Sequence, residues 1–156
     1  MPPPIRGPRV SGPPNFGSAV RAIEAVKEIL PLITAGSPII RRGPAGEVHI
    51  DVPIMYMGFA LDRVHYDPYL RSPSPKGRPV SAIGVDIDPN AAREIVERAI
   101  HESTVLEGAE FREPEAAWVV PVAWNHLIIA HIKVSMDGSE IVPDYALTEE
   151  AKRYAI

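Results

Sequence analysis

The sequence predicts a single α+β domain, in which a mostly antiparallel, twisted sheet of about five to six strands carries two main helices on one face and a short C-terminal helix. Two segments with apolar residues at three- and four-residue spacing predict the helices, and several short alternating segments predict the strands. A length of 156 residues fits one hydrophobic core. The predicted order is α-β-β-β-α-β-β-β-α, and we find no internal repeat.

The N-terminal segment is the first element. Residues 1–16 contain six prolines. Proline fixes φ and has no backbone N–H, so these residues cannot form a helix or an inner strand. We therefore expect a proline-rich arm at 1–16 and one α+β domain at 17–156.

Helices are predicted at three places. Residues 18–33 present one apolar stripe, with Ser18 as N-cap. The second helix follows Asp88 as N-cap, has Pro89 at its first position and runs to about Ser103. A short terminal helix opens at Thr148.

Strands fill the rest of the chain. Residues 47–52 alternate between apolar and polar side chains, and residues 54–61 are apolar on both faces, as in a central strand. Residues 80–87 predict a further strand. The last third reads as a meander, with a two-residue turn at Asn125-His126 between 118–124 and 127–136, and a hairpin turn at Asp137-Gly138 before 140–142.

Composition indicates the source and excludes several chemistries. The chain has 18 Pro, no Cys, no Gln and only three Asn, a pattern typical of a heat-loving organism. Without Cys there can be no disulfide, thiolate zinc site or Cys nucleophile. The longest apolar run, 54–61, is far below the ~20 residues of a membrane helix, and the N-terminus lacks the apolar core of a secretory signal. We expect a cytoplasmic protein with no membrane partner.

Charge is unevenly distributed. The net charge of −4 argues against a general nucleic-acid coat. Residues 1–46 carry six basic and two acidic groups, whereas residues 89–156 carry six basic and twelve acidic groups. Such polarity is compatible with head-to-tail association, although a solvated surface explains it as well.

Acidic and histidine side chains in the middle strands form the first candidate site. Pairs such as His65/Asp67 and Asp86/Asp88 are spaced by two, so each pair lies on one face of its strand. If neighbouring strands bring these pairs together, carboxylates and an imidazole could bind a divalent metal that activates water. The candidate ligands are Asp51, Asp62, His65 and Asp86. Helix capping by Asp88 and an ordinary wet sheet face explain the same pattern.

A basic, proline-rich loop is the second candidate. Residues 68–79 carry Arg71, Lys76 and Arg78 among four prolines, with Tyr69 beside them. Cations and a ring could bind phosphates or a single nucleic-acid strand. The loop lacks the Gly-Lys-Ser/Thr ending of a phosphate-binding loop, and a stiff connecting loop explains the same residues.

Three functions follow as hypotheses. The first is a non-catalytic interaction or scaffold protein that forms homo-oligomers or binds a protein partner. The second is a metal-dependent phosphoesterase or nuclease, which would need a divalent metal as its cofactor. The third is nucleic-acid or phosphate binding through the basic loop. No serine lies in a Gly-x-Ser-x-Gly elbow, so the sequence gives a serine hydrolase no support.

Overall fold

The computed structural model describes residues 2–5 and 14–154, and it places two sheets rather than one. Each sheet is antiparallel and five-stranded, curls into a half-barrel and is accompanied by helices. The prediction of one sheet with two helices on a single face is therefore wrong.

The elements fall into two successive groups. The first group comprises α1 (Phe16–Ile29), a 3-10 turn (Leu30–Leu32), β1 (Thr34–Ala35), β2 (Ile39–Arg42), β3 (Val48–Tyr56), β4 (Phe59–Asp67) and β5 (Ser72–Pro73). The second comprises α2 (Pro89–His101), β6 (Thr104–Val105), β7 (Glu110–Arg112), a 3-10 turn (Glu113–Glu115), β8 (Ala117–Trp124), β9 (Leu127–Ser135) and β10 (Ile141–Val142), followed by α3 (Tyr145–Tyr154).

The two groups repeat one topology. The first sheet has the order β1-β3-β4-β5 with β2 also on β3, and the second has β6-β8-β9-β10 with β7 also on β8. Pro53 and Pro121 occupy matching positions in the long hairpins, and both hairpins shift register just after them. The structure therefore contains an internal repeat that the sequence did not reveal, because the two halves share the pattern of buried positions and few identical residues.

Each of the first two helices packs on the sheet of the other half. Helix α1 contacts β8, β9 and β6, whereas α2 packs chiefly on β1, β3, β4 and β5. Buried residues of both helices and both sheets form one main hydrophobic cluster. Because the helices are exchanged, neither half can bury its own apolar sheet face without the other.

Residues 54–61 form a hairpin rather than a central strand. Met57 and Gly58 have positive φ values of 51° and 83°, and they connect β3 directly to β4. Positive φ at both central residues gives the twist that suits a two-residue hairpin. Apolar residues on both sides of the turn gave the appearance of one continuous strand.

The predicted strand at 80–87 is also absent from the described structure. Only Ala82 pairs there, in an isolated antiparallel bridge with Val48. Conversely, Asn125 and His126 have φ values of 49° and 66° between β8 and β9, so the predicted two-residue turn is confirmed.

The helix starts agree in part with the sequence. Asp88 accepts from the backbone N–H groups of Asn90 and Ala91, and Pro89 is the first helical residue, as predicted. Helix α1 begins two residues before the predicted Ser18. Its N-cap is Asn15, and Ser18 is the third residue of a reciprocal capping box.

The C-terminal helix contacts the first sheet, and the N-terminal arm contacts the second. Helix α3 begins at Tyr145, before the predicted Thr148, and lies on β4. Leu147 packs there with Ile39, Ala60 and Met55 in a second, smaller core. Ile5 of the arm forms a parallel bridge with Ile141 of β10; residues 6–13 of the predicted arm lie outside the described residues.

No helix in the described ranges is long and apolar enough to span a membrane.

Candidate functional site

Four charged side chains and a histidine form a network on the face of the first sheet that α3 covers; we call it the outer-face ion cluster. It consists of Arg41, Asp51, Arg63, His65 and Glu150. Asp51 lies at its centre and accepts from His65 Nδ1 at 2.6 Å and from Arg63 at 3.0 Å. The second arm of the Arg63 guanidinium reaches Glu150 at 2.9 Å, and Arg41 reaches the same carboxylate at 2.8 Å.

The strand register explains this convergence. Asp51 of β3 is the direct cross-strand partner of His65 of β4. Arg63 precedes His65 by two residues and so lies on the same face. Glu150 reaches them because α3 packs across β4. Arg41 comes from β2, so four elements, three neighbouring strands and α3, supply one network.

The cluster holds its carboxylates ionised. Burial alone would raise the pKa of Asp51, but hydrogen bonds from His65 and Arg63 outweigh it, and the pKa lies below its ordinary value. A hydrogen bond from Arg41, with further help from Arg63, lowers the pKa of Glu150 despite some desolvation. Both carboxylates are therefore neutralised by the neighbouring guanidinium groups, which disfavours a metal ion at the same oxygens.

Asp62 lies elsewhere, where the two sheets meet. One carboxylate oxygen accepts from the Lys76 ammonium and the other accepts from the backbone N–H of His131 on β9 at 2.7 Å. Burial lowers the pKa of His131, and the Asp62 carboxylate only partly offsets that effect. Through these two hydrogen bonds, Asp62 links β4 to both the basic loop and β9.

Asp86 belongs to a third place. It lines a cavity of about 290 Å³ at the start of α2, together with Tyr66, Arg71 and Asp88. Of the four predicted metal ligands, the structure thus brings together only Asp51 and His65. Over residues 2–5 and 14–154, no group of three or more His, Asp or Glu side chains is placed to hold a metal ion. The metal site remains a prediction with no geometric support in the described chain.

The basic loop after β4 is folded rather than extended. Lys76 is paired with Asp62, and its backbone N–H donates to the carbonyl of Ile128 at 2.8 Å. Arg71 faces the cavity beside α2. Arg78 and Tyr69 are exposed. The three cations therefore do not form a continuous basic surface along one groove, and nucleic-acid binding through these residues also remains a prediction.

Sequence reasoning missed Arg41, Arg63 and Glu150. Arg63 was detectable, because a residue two positions before His65 shares its strand face. Nothing in the local sequence of Arg41 or Glu150 shows that both reach Asp51 or Arg63, since these contacts depend on how α3 crosses the sheet.

Comparisons with known proteins found no match to this chain. No family model matches it, no curated protein matches its sequence and no solved structure matches its fold.

Proposed function

We propose that this chain is a non-catalytic binding protein that pairs with a second copy of itself. The proposed contact is an apolar surface on the connection between β4 and α2, formed by Tyr69, Leu70 and Ile83; we call it the loop surface. The observation that supports it is the exposure of these three side chains, which are 54%, 75% and 61% accessible. Large apolar side chains grouped on a surface are typical of protein contacts.

Hydrogen bonds keep the loop surface in shape. The carboxylate of Asp67 accepts from the backbone N–H groups of Tyr69 and Leu70 at 2.8 and 3.1 Å. The hydroxyl of Tyr69 accepts from the N–H of Ile83 at 2.7 Å and lies 3.2 Å from its carbonyl oxygen. A surface that is ordered before binding loses little conformational entropy when a partner covers it.

Charge around the loop surface favours a second copy. Residues 67–88 carry three basic groups, Arg71, Lys76 and Arg78, and three acidic groups, Asp67, Asp86 and Asp88. A surface with no net charge can meet its own copy across a two-fold axis without repulsion. Nucleic acid, in contrast, requires an excess of positive charge.

Sedimentation equilibrium tests the proposal over a concentration series up to about 100 µM. We expect the wild type to dimerise, and Leu70→Asp or Ile83→Asp to weaken the dimer at least about tenfold, since a charge would be buried in an apolar contact. Leu32→Asp is the control, because Leu32 is also an exposed large apolar residue, at 50%, but lies in the turn after α1. A wild type that stays monomeric, or a dimer that Leu32→Asp disrupts and the loop variants do not, would contradict the proposal.

One broader property is proposed on composition alone. The absence of Cys and Gln, with 18 prolines, supports a protein from a hot environment. An unfolding midpoint above about 80 °C is the expected result in scanning calorimetry. A midpoint in the ordinary mesophilic range would contradict heat adaptation.

A further inference from the structure

The cavity at the start of α2 carries charges of both signs. The guanidinium of Arg71 and the hydroxyl of Tyr66 line it, as do the carboxylates of Asp86 and Asp88. Its remaining wall is apolar and includes Ile50, Ile87 and Ala91. A volume of about 290 Å³ suits a small molecule and is too small for a folded partner.

The opposite charges in this cavity do not pair with each other. In the described chain, Arg71 forms no salt bridge to any carboxylate, and the side chain of Asp86 has neither a salt bridge nor a hydrogen bond. Burial raises the pKa of the Tyr66 hydroxyl, and the nearby guanidinium of Arg71 only partly offsets that effect. Asp88 uses one oxygen to cap α2, at 3.1 and 3.2 Å from two backbone nitrogens. Side chains of opposite charge therefore line one cavity without forming salt bridges to one another.

The backbone fixes Arg71 in an uncommon conformation. Its φ of 54° lies in the left-handed region, which an arginine adopts only when the surrounding structure imposes it. The turn before it is capped by Asp67, and Ser72 after it pairs with Asp67 across β4 and β5. Arg71 is the last residue of the turn between β4 and β5, so this turn conformation sets the direction in which its side chain leaves the backbone.

We propose that this cavity binds a small zwitterion of the α-amino acid class. The ligand carboxylate lies on the Arg71 guanidinium and the Tyr66 hydroxyl, the ammonium lies on Asp86 and the free oxygen of Asp88, and the side chain lies against the apolar wall. An inorganic anion would be repelled by the two carboxylates, and a metal cation by the guanidinium. A zwitterion satisfies both signs of charge at once. None of the three apolar side chains of the loop surface lines this cavity, so the proposed ligand does not need the proposed self-association.

Calorimetric titration of the full chain with the twenty common L-amino acids tests the proposal. We expect at least one to bind with Kd below about 1 mM. Its analogue without the amino group and its analogue without the carboxyl group should each bind at least about tenfold more weakly. Inorganic phosphate and Mg²⁺, titrated separately, should not bind measurably.

Three variants locate the site. Asp86→Asn should weaken binding at least about tenfold, because it removes the partner of the ammonium. Arg71→Asn should do the same through the carboxylate; asparagine tolerates positive φ better than most residues, so the turn is retained. Arg78→Gln is the matched control on the same loop and should bind as the wild type does.

The proposal would be wrong if none of the twenty amino acids bound, or if phosphate or Mg²⁺ bound as tightly as the best of them. It would also be wrong if an analogue without the amino or the carboxyl group bound equally well. Binding that both Asp86→Asn and Arg71→Asn leave intact would contradict it as well. Circular dichroism of each variant checks that it is folded. Repeating the titration with Leu70→Asp separates this site from self-association, since that variant is expected to lose the dimer and to keep the ligand.

Discussion

Gly138 shows how closely the two halves approach each other. A Cβ at this position would lie 2.6 Å from the carbonyl oxygen of Ser18 and 2.7 Å from the Cβ of Arg21, both on α1. The backbone there has a φ of 80°. Arg21 also donates from Nε to the carbonyl of Asp137 at 2.8 Å. The turn after β9 is therefore a contact point for the helix from the first half, and only glycine fits it.

Gly138→Ala should accordingly destabilise the protein by about 2–4 kcal/mol, from backbone strain together with a clash against the helix. Gly77→Ala is the matched control, since Gly77 has a φ of 81° with nothing within 4 Å. That substitution should cost only about 1 kcal/mol. Guanidinium unfolding of both variants gives the comparison. If the two variants lost the same free energy of unfolding, α1 would not be in close contact with the turn at Gly138.

Asp51 makes stability depend on pH. Because its folded pKa lies below the ordinary value of 3.8, its ionised form stabilises the fold above that value, and this stability is lost as pH falls through the folded pKa. Asp51→Asn should cost about 1–3 kcal/mol at pH 7, since it removes the carboxylate that accepts hydrogen bonds from both Arg63 and His65.

The difference in unfolding free energy between wild type and Asp51→Asn should shrink below about pH 4. Urea unfolding at a series of pH values measures it. Asp86→Asn serves as the control, because Asp86 is exposed and takes part in no salt bridge of the described chain; its effect should be small throughout. A difference in unfolding free energy between wild type and Asp51→Asn that stays constant down to about pH 3 would be evidence against the network.

At this scale the sequence predicted the residue types of the sites and not their grouping. Asp51 and His65 were both selected, and the structure makes them cross-strand partners. Asp86 was assigned to the same group because it forms a two-residue pair with Asp88, and Asp62 because it closely precedes His65 in the chain. Such spacing gives the face of one strand, but the distance between strands depends on the register and the turns. The hairpin at Met57-Gly58 sets that register, and it was not predicted.

At the scale of elements, α3 is the most separable part of the molecule. Leu147 packs in the small core with Ile39, Ala60 and Met55, apart from the main cluster. Two hydrogen bonds hold the start of α3: the N–H of Asp144 donates to the carbonyl of Ala60, and the N–H of Ala60 donates to the hydroxyl of Thr148. Segments with a small separate core open at lower free energy than the main core.

Leu147→Ala should therefore release α3 locally. Hydrogen exchange across 145–154 should become at least about tenfold faster, while exchange in α1 and α2 changes little. Ile100→Ala is the comparison, because Ile100 is fully buried in the main cluster. It should lower global stability by about 2–5 kcal/mol. If Leu147→Ala accelerated exchange in all three helices equally, α3 would belong to the main cooperative unit.

Local signals predicted the elements better than their assembly. The stripe of α1, the cap of α2 and the turn at Asn125-His126 rest on contacts within a few residues. Short strands such as β1, β2 and β6 carry too few residues for an alternation pattern, and pairing partners fix them instead. The number of sheets is likewise set by long-range pairing, which periodicity does not encode.

At the scale of the whole molecule, the exchange of helices is the central feature. Lys27 of α1 forms a salt bridge with Glu107, between β6 and β7. In the other direction, Arg93 and Glu97 of α2 bind the carbonyl and N–H of Ala35 on β1, at 2.9 and 2.8 Å. Each helix is thus fastened to the opposite half by polar contacts as well as by its apolar face. The two halves should fold as one cooperative unit, since neither contains a complete core.

Methyl–methyl nuclear Overhauser spectroscopy of the Ile-, Leu- and Val-labelled protein tests this arrangement directly. We predict that the strongest long-range cross-peaks of Val26 and Ile29 on α1 reach methyl groups of β8 and β9, and that those of Val96 and Ile100 on α2 reach β3 and β4. Strong cross-peaks from α1 to β3 and β4, with none to β8 or β9, would show that each helix lies on its own sheet and would contradict the account.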